Sequence, residues 1–342
     1  MTRYRALFLL LGFSLLGALV YVTGARQILA YLSAIGWRFT LVLGVALCWQ
    51  VGNTVAWGLA FRRGVTGLRF RDLFVAKLGG DAINNITPLL SLGGEFVKPY
   101  LIHRHAPLPA GFASIVITKT VQAVTGVLYA LIGVGLALFF LRLPFSLWAT
   151  AAGIVCAGGG VLLWIFVQQQ RNPFSALLNA LSRAGVRAGL AEARRHSVEE
   201  MEAQISAYYR EERGRLALSV SIQFLSWVFG VVETWLIVRL LGAPISFGTA
   251  FFLTTLSSVI NTAFFFVPAG VGIQEGGQVF LFSLLGLPMS MGMAVGLVKR
   301  TRKLCYVLAG LLAVSGWLFR QSKKDVQEAL GGGEGYRAQD TV

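Results

Sequence analysis

Histidine, cysteine and acidic residues are scarce in this 342-residue chain, with three histidines, three cysteines, and 15 Asp plus Glu against 30 Lys plus Arg. Cys48, Cys156 and Cys305 are odd in number and lie in apolar segments, so they read as small buried hydrophobes and exclude a disulfide framework. His103-Arg104-His105 has no second ligand cluster near it and reads as a solvated loop, so no metal or other cofactor is expected. No GxxxxGK occurs, and Gly270-Val271-Gly272 lacks the last glycine of GxGxxG, which excludes a nucleotide loop. Only 13% of residues are charged. What fills the chain instead is apolar: 56% hydrophobic residues and a mean hydropathy of +0.68 describe a polytopic, all-α membrane protein. The net charge of +15 then belongs to loops beside membrane helices and not to a nucleic-acid surface.

The apolar runs set the organisation. Ala6–Val22, after Arg3 and Arg5, reads as an uncleaved first span, with a cleaved signal peptide over residues 1–25 as the alternative. Residues 1–38 hold this span and an external loop. A first membrane repeat occupies 39–167, with spans at Phe39–Phe61, from Gly111 to Leu141, and at Phe145–Val167 beyond Pro144. The middle one would reach roughly 46 Å at 1.5 Å per residue, so it must tilt or protrude. Residues 168–215 carry eight arginines against six glutamates. Val198, Met201, Ile205 and Tyr208 share one face there, which predicts a cytoplasmic amphipathic connector lying on the membrane or on the bundle. A second membrane repeat follows at 216–319, and 320–342, with its GGGEG, reads as a disordered cytoplasmic tail.

Residues 81–119 organise the rest. They hold Asp81, Asn84, Asn85, Pro88, Gly93-Gly94, Glu95, Lys98 and Lys119, and part of that pattern recurs. An offset of 180 takes Pro88 to Pro268, Glu95 to Glu275 and Lys119 to Lys299; an offset of 177 takes Phe70 to Phe247, Phe74 to Phe251 and Asn84 to Asn261. The matches fall on polar residues, the rarest kind here. They predict a duplicated unit with one polar site built from both halves. With both termini inside, and with 72–105 and 247–286 each entering and returning on one side, most cations fall in inside loops. Only Arg26, Arg38, Arg142 and Arg239 stay outside. The two repeats are then inverted, with re-entrant helices broken near Pro88 and Pro268, an arrangement used by many transporters.

Lys299-Arg300-Thr301-Arg302-Lys303 lies either in the middle of one helix or in a loop between two short spans. Four cations facing lipid at the bilayer centre would cost on the order of 10 kcal/mol, so the helix reading needs them to face a polar interior. Lys299, Arg302 and Lys303 would share one face there, with Arg300 about 100° away. Gly94 before Glu95, and Gly272 before Glu275, place helix N-termini at membrane depth, where free N–H groups and a positive dipole end suit an anion. The predicted binding residues are therefore Asn84, Asn85, Gly94, Glu95, Lys98, Lys119, Gly272, Glu275, Lys299, Arg300, Arg302 and Lys303, with no catalytic residue among them. The alternative is that Glu95–Lys119 and Glu275–Lys299 are structural ion pairs.

GGDAINNITPLLSLGGEFVKPYLI and PAGVGIQEGGQVFLFSLLGLP, followed by Lys299-Arg300, resemble the flippase-like membrane family related to the transmembrane region of lysylphosphatidylglycerol synthases. The likeness spans roughly 39–316 and is nearest to the hopanoid-biosynthesis-associated subgroup. It implies a non-enzymatic lipid flippase in a bacterial inner membrane, moving lipids or lipid-linked anionic head groups between leaflets in hopanoid or lipid-A-related envelope synthesis, while the loop charges place the N- and C-termini on the cytoplasmic side. Lipid-synthesis enzymes are the implied partners. Two other classes stand beside it: a membrane-embedded lipid or glycan transferase, and a non-catalytic partner of a lipid-synthesis complex touching it through 168–215.

Overall fold

The computed structural model describes residues 33–65, 67–86, 93–140, 188–264 and 272–331, with isolated positions between 26 and 30 and between 153 and 160. Regular structure among these residues is helical. In chain order the helices are α1 Phe39–Leu59, α2 Phe70–Ile86, α3 Gly93–Leu101, α4 Leu108–Phe140, α5 Ala188–Glu211, α6 Arg213–Leu240, α7 Phe247–Ala263, α8 Ile273–Leu284 and α9 Met289–Gly331. Ala6–Val22, Pro88, Pro268, Phe145–Val167 apart from the isolated positions just given, and the residues after 331 lie outside the described part.

Among the described residues three stretches are long and apolar enough to cross a membrane: Ser33–Leu59, Leu108–Gly133 and Arg213–Leu240, of 27, 26 and 28 residues. At 1.5 Å per residue each reaches about 40 Å, more than the roughly 30 Å of a hydrocarbon core. These belong to α1, α4 and α6, where spans were expected. α9 resolves the helix-or-loop alternative: Lys299–Lys303 lies inside one 43-residue helix. That helix also continues to Gly331, into the stretch read as tail. Ser322-Lys323-Lys324-Asp325-Val326-Gln327-Glu328-Ala329-Leu330 is rich in good helix formers, which allows the extension.

The element bounds follow the pattern that repeats in the sequence. α2 and α7 are both 17 residues long. Their ends keep the offset that relates Asn84 to Asn261. In each half a shorter helix returns against this one, α3 on α2 and α8 on α7, before a long helix follows. The halves interlock: α1 packs on α6, α2 on α9, and α4 on α7.

Close backbone approach drives this packing, because apolar side chains gain little by leaving lipid for one another. A Cβ on Gly94 would strike the carbonyl of Gly80, so α3 can lie directly on α2 only with glycine at that crossing. Gly310 of α9 likewise rests on the Leu78 backbone of α2, where a Cβ would sit 2.8 Å from the carbonyl carbon.

The connector helix α5 packs on the bundle. Ile205 and Tyr208 are buried in a cluster with Trp57, Leu73, Ile117 and Val121, and Met201 packs at its edge. Tyr208 and Arg215 close the C-terminal end of α1: the Tyr208 hydroxyl donates to the Leu59 carbonyl at 3.0 Å, and Arg215 donates to Leu59 and Gly58 carbonyls at 3.3 and 3.2 Å. These carbonyls have no partner within the helix, and a cation there also answers the helix dipole. Burial pushes the Tyr208 phenol up to about 12, so it remains a donor at any physiological pH. Arg62–Glu211 and Arg63–Glu212 pairs add an outer latch.

Candidate functional site

An alternating row of charges crosses α2, α3 and α4. Lys77 Nζ lies 2.7 Å from Asp81 Oδ2, one helical turn on, and also donates to Gln50 of α1. Lys98 Nζ bridges Asp81 Oδ1 at 2.9 Å and Glu95 Oε1 at 3.1 Å. Lys119 Nζ completes the row at 2.9 Å from Glu95 Oε1. Glu95 therefore approaches Lys119 as the sequence predicts. Asn84 fixes the corner between α2 and α3, donating to Glu95 Oε1 at 3.2 Å and accepting from the Gly94 N–H at 2.6 Å. Asn85 donates back to the Asp81 carbonyl at 2.7 Å. Lys77 and Lys98 are buried, whereas the Lys119 side chain is 46% exposed.

The second half is built differently. Glu275 is fully buried and accepts a two-pronged bond from Arg300, through Nε and through an NH2 at 2.8 Å. It also accepts the Gly272 N–H at 3.0 Å. The expected partners of Glu275, Lys299 and Arg302, go elsewhere. Lys299 donates to Thr234 Oγ1 at 2.9 Å, and Arg302 reaches Glu233 at 2.8 Å. The reason is helical phase: Arg300 projects about 100° from its neighbours, toward α8, whereas Lys299 and Arg302 turn toward α6. Glu233 thus pairs across helices and not with Arg239, which stacks on Trp235. One carboxylate oxygen of Glu233 and the Nε of Arg302 are buried without a partner.

These groups meet in a cavity of about 740 Å³ between the halves. Each long helix contributes one face at spacings of three and four: Ala46, Trp49, Gln50 and Asn53 from α1; Thr118, Lys119 and Gln122 from α4; Trp227, Gly230 and Glu233 from α6; Thr254, Ser257, Ser258 and Asn261 from α7; Lys299, Arg302, Lys303 and Tyr306 from α9. Six cations and three carboxylates line it, a formal excess of three positive charges inside an apolar bundle. Among the described residues no three His, Cys, Asp or Glu side chains stand together as a metal would require.

Of the predicted binding residues, Asn84, Asn85, Glu95, Lys98, Lys119, Lys299, Arg302 and Lys303 line this cavity. Gly94, Gly272, Glu275 and Arg300 do not. The anion-binding role expected of the two glycines is also altered: the Gly94 and Gly272 N–H groups are taken by Asn84 and Glu275. In the second half the structural-pair alternative describes Glu275, with Arg300 in place of Lys299.

Sequence reasoning missed Lys77, Gln50, Gln122, Gln274 and Tyr306 as lining residues, gave Asp81 a part only as the acid or nucleophile, with Glu95, of the alternative transferase, and left Glu233 without a partner. Lys77 had a signal, a lysine one turn before Asp81 in an apolar run. Its counterpart in the second half is Thr254, so the repeat did not flag it.

The described lysylphosphatidylglycerol synthase TM region family matches residues 6–310. Three similar relatives are named UPF0104 membrane proteins. That of Methanothermobacter thermautotrophicus is 25% identical over 72% of this chain and 75% of its own. That of Methanocaldococcus jannaschii is 22% identical over 75% and 76%, and that of Pyrococcus horikoshii 21% over 86% and 92%. No solved structure matches. The crossing helices, the charged cavity between the halves and this match across most of the chain lead to one statement: the protein belongs to the family of the lysylphosphatidylglycerol synthase transmembrane region.

Proposed function

We propose that the protein moves lipids with anionic head groups between the leaflets of a bacterial inner membrane, without enzymatic chemistry. The observation that carries this reading is the cavity: about 740 Å³, net positive, built from both halves of a membrane bundle. Ionisable groups at membrane depth are costly, and they persist where they serve a polar path or ligand. Polar faces on α1, α4, α6, α7 and α9 give a head group a route through the bundle while acyl chains stay in lipid. The two repeats are inverted in this proposal, with both termini cytoplasmic, and the cavity opens laterally toward lipid so that acyl chains stay outside. Placement in hopanoid or lipid-A-related synthesis, beside lipid-synthesis enzymes, belongs to the same proposal. The row Lys77–Asp81–Lys98–Glu95–Lys119 suits exchange, since a head-group oxygen can replace Glu95 on Lys119 without stranding the other charges.

The test is reconstitution of purified protein in vesicles with fluorescent phosphatidylglycerol and phosphatidic acid, read as transbilayer movement. Lys119→Met and Lys303→Met should each slow movement at least tenfold in protein that unfolds normally. Full movement in both folded variants would sink the reading. The swap Glu95→Lys with Lys119→Glu separates binding from scaffolding: a purely structural pair would restore movement, a binding cation would not.

A further inference from the structure

We infer that the head group taken by this cavity ends in a terminal phosphate, a phosphomonoester or diphosphate with two or more negative charges, and is not a singly charged phosphodiester. The inference rests on the anionic-lipid reading above and narrows its substrate class. It comes from how the charges are already committed. Asp81 is shared by Lys77 and Lys98, and Glu95 by Lys98 and Lys119, so two carboxylates face three lysines along that row. Across the cavity Glu233 answers Arg302. Lys299 is left with a hydroxyl, Thr234, and Lys303 has no hydrogen-bond or ion-pair partner among the described residues.

The lining thus carries three more cations than carboxylates, one excess on the row that ends at the half-exposed Lys119 and two on Lys299 and Lys303, and an uncompensated charge away from bulk water is expensive. A phosphodiester carries one negative charge and would leave two of them. A phosphomonoester carries about 1.5–2 negative charges at neutral pH and offers three acceptor oxygens. A diphosphate can cancel the excess fully. Geometry agrees with charge. Lys119 comes from α4 and Lys299 and Lys303 from α9, so ammonium donors reach the cavity from both halves, and Arg302 keeps a buried Nε–H unused. Three terminal oxygens can accept from several directions at once, whereas a phosphodiester has two free oxygens and two ester arms to house.

Trp49 and Trp227 line the cavity and supply a native readout. The full chain, purified in a non-ionic detergent, is titrated at fixed ionic strength with dioctanoyl phosphatidic acid, dioctanoyl phosphatidylglycerol and inorganic pyrophosphate, following tryptophan fluorescence. Phosphatidic acid should bind at least tenfold more tightly than phosphatidylglycerol, and Lys303→Met should cut that preference at least fivefold. If Lys303→Met does not fold, Lys119→Met, on a half-exposed side chain, serves the same purpose. Pyrophosphate binding as tightly as phosphatidic acid supports the terminal-phosphate site and assigns it a soluble source; weaker pyrophosphate binding assigns it a lipid. Phosphatidylglycerol binding as tightly as phosphatidic acid overturns the inference and leaves the anionic-lipid reading standing. Saturable binding by none of the three, in folded protein, overturns both.

Discussion

Replacing Glu275 by Gln should damage the fold far more than replacing Glu95 by Gln, although the two glutamates occupy matching places in the duplicated pattern. Glu275 is fully buried, holds Arg300 by two bonds and caps the Gly272 N–H. Gln keeps one acceptor but removes the charge, so Arg300 loses its carboxylate at a site where its side chain is only 19% exposed. Breaking a buried pair from one side costs about 3–5 kcal/mol. Glu95 is 11% exposed in its side chain, but its loss leaves Lys98 still paired with Asp81 and leaves Lys119 half in solvent. That change should cost about 1–2 kcal/mol, less than at Glu275 because neither lysine is left without a carboxylate or solvent. The gap of a few kcal/mol should separate the apparent melting temperatures by on the order of 5 °C or more. Both variants are heated in the same detergent at one scan rate, because unfolding here need not be reversible. Glu275→Gln with Arg300→Met should recover part of the loss, since no stranded charge remains. Equal melting temperatures for the two single variants would refute the distinction between a sealed and an exchangeable glutamate.

Two further outcomes follow from the packing. Gly94→Ala forces a methyl onto the Gly80 carbonyl and should separate α3 from α2, costing at least about 3 kcal/mol; a normal melting temperature and normal transport by this variant would contradict the crossing. Tyr208→Phe removes the donor to the Leu59 carbonyl but keeps the buried ring, so the loss should be about 1 kcal/mol by the same thermal assay, and a loss above about 3 kcal/mol would show that the hydroxyl does more than cap α1.

Much of the fold was legible because membrane helices are written in long apolar runs. Phe39, Phe247 and the start of α6 near Leu216 were all placed to within a few residues. The connector's buried face was legible for a similar reason, since Ile205 and Tyr208 keep helical spacing in a charged background. The site was legible only where polar residues repeat. Asn84, Glu95, Lys119 and Lys299 were found through the repeat, and all four line the cavity. Pairing was harder. The sequence offers Glu275 four neighbouring cations within five residues, and the choice of Arg300 depends on how α9 is rotated against α8. That rotation is set by contacts such as Gly296 of α9 against the Glu275 backbone, where a Cβ would sit 3.0 Å from Cα. No spacing rule encodes it. Lys77 and Glu233 were obscured because their partners, Gln50 and Arg302, come from helices distant in sequence.

The two copies have divided the work that one charged motif implies. In the first half the charges are shared, each carboxylate between two lysines, so removing one partner does not strand the rest. In the second half the equivalent glutamate is locked to one arginine and excluded from the cavity. Lys98 of the first half corresponds to Gln278, which donates to Ser257 at 2.7 Å, a neutral contact where the first half has an ionic one. Asp81 and Glu95 therefore each keep a second cation when one is removed, while Glu275 ties α8 to α9 through Arg300. Lys299, Arg302 and Lys303 project from α9 into the same space. One wall of the cavity holds its charges as a shared row, and the facing wall holds them singly, Lys299 on Thr234 and Arg302 on Glu233.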